Sequence, residues 1–371
     1  MGDAFRPAGL PAPPNPKGSV LIAVLALIAL LSFIMIAFME EAMEKIRYYG
    51  LFYNRDDLRI EAYSALETSL AVINEIREID RGLYSPVQGW GDPLRYAQVP
   101  FDPSVDIRIK VVDESGKIPL ATATPLLLNI LFEEMGVDFT VAQVLTDSLL
   151  DWTDTDDLTR LNGAETDHYK GQRVTYRPPD GKVQSWDEIA LIRGFDTEFF
   201  DEEGSPNGLF FQFKDAMSLN HEGAVNLNSA SEFVLRVVAR SEGFDSTILH
   251  SYLNGTDAER GTEDDRLINS RDNANFPIGI DGRSRITDLR SQIFKISVEV
   301  SRGDASFLLT SIVSWRGSNP GAAASTANTS EARNRVRSGV AERGSTAVRI
   351  DAGEALGYPY EILRLTENFK I

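Results

Sequence analysis

Residues Asp154–Asp167, "DTDDLTRLNGAETD", form the densest run of oxygen donors in the chain. Asp154, Asp156 and Glu165 fall at relative positions 1, 3 and 12, where an EF-hand loop presents carboxylates to calcium. Position 5 is Leu158 and position 6 is Thr159, where such a loop needs a ligand and a glycine, so this is not an EF-hand. A looser calcium site of six to eight oxygens is one reading, with Asp157 and Asp167 as further donors. A solvated acidic loop is the other, and spacing alone favours it. The second acidic cluster, "TDAERGTEDD" (Thr256–Asp265), reads as a wet loop.

Catalytic patterns are not found. His168, His221 and His250 have no metal-ligand spacing, and His168, beside the acidic loop, reads as a surface histidine. There is no nucleophile elbow, phosphate loop or dinucleotide fingerprint, so the expectation is a protein without enzyme activity. With no cysteine, disulfides and thiolate chemistry are excluded. "VNLNSASEFVL" (Val225–Leu235) is similar to helix-hairpin-helix modules that bind DNA. A net charge of −18 repels phosphate backbones, so the segment is expected to be a structural helical hairpin, with no nucleic acid as partner.

These groups must be positioned by a chain of 371 residues with ordinary globular composition, long enough for two or three packed units. Alternation in "VDIRIKVV" (Val105–Val112) predicts a half-buried strand, and "DESGK" (Asp113–Lys117) a turn. Leu126–Met135 and Val141–Trp152 read as short helices. "SWDEIALIRGF" (Ser185–Phe195) opens with a capping box, Ser185 with Glu188, and stops at Gly194. "NSASEFVLRVVAR" (Asn228–Arg240) repeats the format, capped by Ser229 or Ser231. "QIFKISVEVS" (Gln292–Ser301) and "SFLLTSIVSW" (Ser306–Trp315), joined by "RGDA", predict a hairpin. Residues 317–345, rich in Ala, Ser, Gly, Asn and Arg, predict a mobile loop. "TAVRI" and "PYEILRLTE" are later strand candidates.

The N-terminal part is apolar in a different way. From Ser19 to Met39 run 21 residues without a charge, preceded by Arg6 and Lys17 and followed by Glu40 and Glu41. At 1.5 Å per residue this covers about one hydrocarbon thickness, longer than a cleaved secretory core. The flanking cations place residues 1–18 in the cytoplasm and the remainder outside. Leu58, Ala62, Ala65, Leu66, Ser69, Ile73 and Ile76 recur at three- and four-residue steps, extending the helix to about Ile79, with Gly50 a local weak point.

The "KGS" junction ahead of this run resembles the class III signal of type IV pilins and pseudopilins. "DESGKIPL", "LLDWTDTDD…NGAE" (Leu149–Glu165), "SWDEIALIRGFD" (Ser185–Asp196) and "VNLNSAS" (Val225–Ser231) resemble stretches of the type II secretion minor pseudopilin K family, the general secretion pathway protein K family. The resemblance implies cleavage by prepilin peptidase after Gly18, leaving Ser19 as the mature N-terminus. Mature position five is then Ala23 instead of the usual glutamate, which suits a subunit with no earlier amine to meet. It implies an α+β fold: a long transmembrane and amphipathic helix, a pilin-like antiparallel sheet, and a large inserted all-helical domain of SAM-like, helical-hairpin type. The corresponding segments are a leader (1–18), a membrane span (19–39), helix and first strand (40–117), insertion (118–285) and C-terminal strands (286–371). It implies a role at the pseudopilus tip with other minor pseudopilins, residence in inner-membrane lipid with a periplasmic head, and calcium in the helical domain on Asp154, Asp156, Asp157, Glu165 and Asp167. The alternative is a signal-anchored periplasmic enzyme or binding protein that does not assemble.

Overall fold

The computed structural model describes residues 16–172, 174–262, 264–270, 286–315 and 359–370. The chain divides into two units, one ending at Asp57 and the other running from Leu58 to Lys370. A single helix, α1 (Pro16–Asp80), contributes to both and passes through Gly50 without a break. Proline in its first turn lacks the amide that a helix start leaves unpaired anyway. Its end is marked by Arg81, which turns left-handed at φ 56°.

From Val20 to Met39, in the first unit, the helix is apolar on every side. Val20–Lys45 is long and apolar enough to cross a membrane, and none of it is buried in the protein. Phe33 and Phe38 are 72% and 70% exposed.

In the second unit the helix becomes one-sided. Leu58, Ala62, Ala65, Leu66, Ser69, Ile73 and Ile76 are all buried. After a short helix α2 (Pro93–Ala97) comes strand β1 (Asp106–Asp113). The sheet is antiparallel in the order β1-β6-β7-β8, where β6 is Ile293–Arg302, β7 is Ala305–Trp315 and β8 is Tyr360–Lys370. Period-two alternation puts Phe294, Ile296, Val298 and Val300 of β6 on the face that packs in one core with α1. Phe307, Leu309, Val313 and Trp315 of β7 join them. Trp90 meets Phe294 edge-on at 5.1 Å.

Strand β8 changes face once. Its pairing shifts between Ile312 and Val313, a bulge that leaves Leu363 exposed while Ile362 and Leu365 both touch the core. Beyond the bulge Glu367 falls on the core-facing row, opposite Leu309. Its Oε1 accepts from Tyr63 Oη (2.6 Å) and Arg59 Nε (3.0 Å), so the carboxylate is held at the sheet edge.

β1 and β6 are adjacent and antiparallel, from Asp106↔Ser301 to Asp113↔Phe294, yet residues 114–292 lie between them in sequence. That connection carries the helical part. It holds β2 (Ile118–Pro119), α3 (Pro125–Glu134), α4 (Phe139–Thr153), α5 (Thr166–Lys170), α6 (Phe195–Glu198) and α7 (Gly208–Ala216). β3 (Met217–Ser218), β4 (Val225–Asn226), α8 (Glu232–Glu242), α9 (Ser246–Leu253) and β5 (Thr287–Asp288) follow. Two short parallel bridges tie its ends, Ile118↔Met217 and Val225↔Thr287. Phe132, Phe195, Phe199 and Phe213 pack with ring centroids 5.0–6.3 Å apart at its centre.

The capping box at Ser185 and Glu188 is present, but the turn that follows is a 3-10 helix over Trp186–Leu191. Gly194, at φ 85°, then redirects the chain into α6. α8 is capped by Ser231, whose Oγ accepts from Val234 N at 3.2 Å. The expected mobile loop 317–345 and the strand candidate 346–350 lie outside the described residues.

Candidate functional site

Three places in the chain carry the residues singled out from sequence. The first is the start of α1. Gly18 and Ser19 lie in its opening turns, and Ala23 lies on the uncovered apolar stretch.

The second is the acidic loop. α4 presents Asp151 inward, fully buried beside Trp152, because the helix buries the row Leu145, Leu149 and Trp152. Asp154 closes α4 as its C-cap. The chain then folds back so that Arg160 meets both: its Nη1 donates to Asp151 Oδ1 (2.6 Å) and Asp154 Oδ2 (2.5 Å). Arg160 N donates to Asp151 Oδ2 at 3.1 Å. Asp147 Oδ2 holds Asn162 through its backbone and side-chain nitrogens, each at 3.1 Å. Gly163 is required by this fold, since a Cβ there would stand 2.0 Å from Asp151 Oδ2.

Glu165 is the unusual member. It is 5% exposed, and neither carboxylate oxygen has a hydrogen-bond partner. Burial, and then the charges of Asp151, Asp154, Asp157 and Asp180, push its pKa up to about 7. One oxygen each of Asp154 and Asp180 is likewise buried without a partner. The structure therefore gathers Asp154, Asp157 and Glu165 of the predicted set and leaves two out. Asp156 is exposed and accepts from Leu158 N (2.9 Å) as an Asx turn. Asp167 points to solvent and faces Lys170 at 3.4 Å. Asp151 and Asp180 take their places. Asp151 had a signal in sequence, a carboxylate next to a core tryptophan in a helix; Asp180, in the turn "PPDG", had none.

The donor set is all oxygen, carries more negative charge than Arg160 neutralises, and leaves four buried oxygens unpartnered. That chemistry fits a hard divalent cation such as calcium. Among the described residues, no group of three or more His, Asp or Glu side chains is arranged to hold a metal ion. His168 lies edge-on to Tyr169 at 5.2 Å, with its Nε2 3.1 Å from Gln172 Nε2.

The third place was missed as a site from sequence, although both its motifs were noted. "DESG" and "VNLNSAS" lock together where the insertion leaves the sheet. Asn226, fully buried, directs Nδ2 at Tyr84 O (2.8 Å), Asp113 Oδ2 (2.9 Å), Ser291 Oγ (3.0 Å) and Ser229 Oγ (3.2 Å). Asp113 Oδ2 also accepts from Ser291 Oγ (2.6 Å), and Oδ1 from Ser115 N (2.9 Å). Burial pushes the Asp113 carboxyl up, and hydrogen bonds from Ser291, Ser229, Asn226 and Ser115 pull against it. Ser115 Oγ accepts from Gln292 N (2.8 Å) and Ile293 N (3.0 Å), tying the first strand's exit to the second strand's entry. Asn228 holds Ile268 through both amide atoms and donates to Leu289 O (2.9 Å). Gly116 admits the close approach: a Cβ there would stand 2.6 Å from Ser229 O. The asparagines of "VNLN" are thus spent inside the protein.

Residues 111–202 match the family model described as type II secretion system (T2SS), protein K. The fold is similar to a chain in the crystal structure of the GspK-GspI-GspJ complex from the enterotoxigenic Escherichia coli type 2 secretion system. The TM-score is 0.52 at 12% identity, over 71% of this chain and 94% of that chain. No curated protein matches the sequence.

Proposed function

We propose that this chain, which carries the type II secretion protein K segment over residues 111–202, is a minor pseudopilin of the pseudopilus tip. Residues 19–39 hold it in the inner membrane until assembly, with the head in the periplasm. With other minor pseudopilins it starts or caps the pseudopilus and so aids export of proteins across the outer membrane. The family is structural rather than catalytic, and the role needs no reaction from this chain.

The observation that carries the reading is the character of α1. One helix is apolar all round over Val20–Met39 and one-sidedly apolar from Leu58 to Ile76, where a sheet covers it. A rod of the first kind is stable in lipid or against other apolar rods, and in few other places. Prepilin peptidase would cut between Gly18 and Ser19. Ala23 at mature position five leaves no buried carboxylate to neutralise, as befits a first subunit. The bulk of residues 114–292, emerging between two adjacent strands, supports a cap that obstructs further stacking.

Calcium belongs to the same proposal. Asp154, Asp157 and Glu165, with Asp151 and Asp180, would hold it, and the ion would supply the positive charge that these carboxylates lack. Binding only the folded loop, it would stabilise the insertion by mass action.

Co-expression with prepilin peptidase tests the reading. Loss of the mass of residues 1–18, and cross-links from this chain to other minor pseudopilins but to no subunit above it, are expected. An intact N-terminus together with a solitary chain would sink the proposal.

A further inference from the structure

A cleft of about 400 Å³ opens where the sheet's outer face meets the insertion. Its polar lining includes Lys110, Lys117 and Lys295 with the hydroxyls of Ser229, Ser231 and Ser297. Lys110 and Lys295 share the face of the sheet opposite α1. Lys110 pairs with Ser297 and Lys295 with Val112, so the two lysines are diagonal neighbours on adjacent strands. Neither ammonium has a hydrogen-bond or salt-bridge partner among the described residues. Lys117 is committed in part, to Glu114 at 3.1 Å. Glu114 in turn accepts from Ser218 Oγ at 2.6 Å. Lys214, at the end of α7, adds a fourth positive charge that Lys295 feels.

Such a gathering is out of keeping with a chain of net charge −18. Like charges side by side destabilise a sheet unless something answers them. Burial and the neighbouring lysines hold the Lys295 ammonium below its ordinary pKa, with Glu114 alone opposing. The N-terminus of α8, eleven residues long and capped by Ser231, opens on the same cleft through Ser231 and Val234. Asp215 lines the cleft and is exposed, and Asp113 is engaged by Asn226 and Ser291.

We propose that this cleft is an anion site for a carboxylate-bearing ligand, held by Lys295 and Lys110 with the α8 N-terminus. Glu114 and Asp215 leave only a modest positive surplus, which matches carboxylates better than a polyphosphate. The volume accommodates a small di- or tricarboxylic acid, or one or two acidic side chains of another polypeptide. Because Lys110 and Lys295 belong to the sheet and Ser231 to the insertion, an occupant bridges the two. The site is independent of the export role and of the calcium loop.

The test uses the full chain in nonionic detergent, titrated calorimetrically with citrate, with a hexaglutamate peptide and with inorganic phosphate. Citrate or the peptide is expected to bind with submillimolar Kd, weakened about tenfold in Lys295→Gln. Lys110→Gln, at an exposed position that does not endanger folding, is expected to weaken binding about threefold, and raised salt to weaken it further. Tighter binding of the peptide identifies a polypeptide source, and tighter binding of citrate a free acid. No carboxylate binding below about 10 mM, binding of phosphate alone, or affinity unchanged in both variants overturns the proposal.

Discussion

Asn226→Ala tests whether the insertion is locked to the sheet by one polar joint. The amide has two hydrogens and four acceptors within 2.8–3.2 Å, and its Oδ1 accepts from Asn228 N at 3.1 Å. At any moment it makes about three hydrogen bonds, each worth about 1 kcal/mol, and more for the one to a carboxylate. Truncation also strips Tyr84 O and Asp113 Oδ2 of a donor in a site closed to water. The expected loss is about 3–5 kcal/mol, a large part of the stability of an ordinary domain. Urea unfolding of the full chain in detergent measures it. Trp90 and Trp315 report on the sheet core, and Trp152 and Trp186 on the insertion, so single-tryptophan versions follow each side separately. Both midpoints are expected to fall, and the transitions to separate as the halves uncouple. Asn368→Ala, an exposed position on β8, serves as control and is expected within about 0.5 kcal/mol of the parent. A loss below about 1 kcal/mol in Asn226→Ala, with unchanged denaturant slope, would refute the idea that this joint holds the two parts together.

Gly116→Ala addresses the same joint through backbone packing. Its Cβ would stand 2.6 Å from Ser229 O, so thermal melting is expected to show a loss of about 2 kcal/mol or more, less than additive with Asn226→Ala. Glu165 predicts a pH dependence in chelated protein. Its folded carboxyl keeps a proton up to about pH 7, while the unfolded one releases it near 4.5, so this group's contribution is full below 4.5 and is lost as pH rises to 7. Glu165→Gln is therefore expected to gain on the parent by up to about 3 kcal/mol across that interval, and parallel denaturation curves would contradict the assignment. Calcium at about a hundred times its Kd is expected to stabilise the parent by about 3 kcal/mol, seen as a rise of several degrees in Tm over chelated protein. Asp154→Asn and Glu165→Gln are expected to lose that response and Asp167→Asn to keep it; an unchanged Tm in the parent discards calcium.

Local patterns reached the structure almost intact. The step of three and four through Leu58, Ala62, Leu66 and Ile73 marked the face that α1 buries. Alternation in Gln292–Trp315 marked the hairpin of β6 and β7, and a capping box marked the turn at Ser185. These signals are legible because periodicity and capping depend on residues within a turn or a strand of one another. The N-terminal apolar helix, long enough to cross a membrane, was legible for the same reason, since its apolar character needs no partner to be recognised.

What sequence could not reach was whatever depends on two distant segments meeting. Nothing near Asp113 says that Phe294 lies opposite it, or that Asn226 bonds to it across the joint. The acidic loop shows the same limit. Linear spacing set Asp156 beside Asp154 and Glu165, and Asp167 was added as a further donor, whereas the backfolding of Arg160 and the turn at Asp180 put Asp151 and Asp180 around Glu165 in place of those two. Composition by itself determined an acidic, cysteine-free chain with one apolar rod. Only the tertiary fold decided which carboxylates are buried together and which lysines face one another, because electrostatic neighbourhood is set by distance in space and not by distance along the chain.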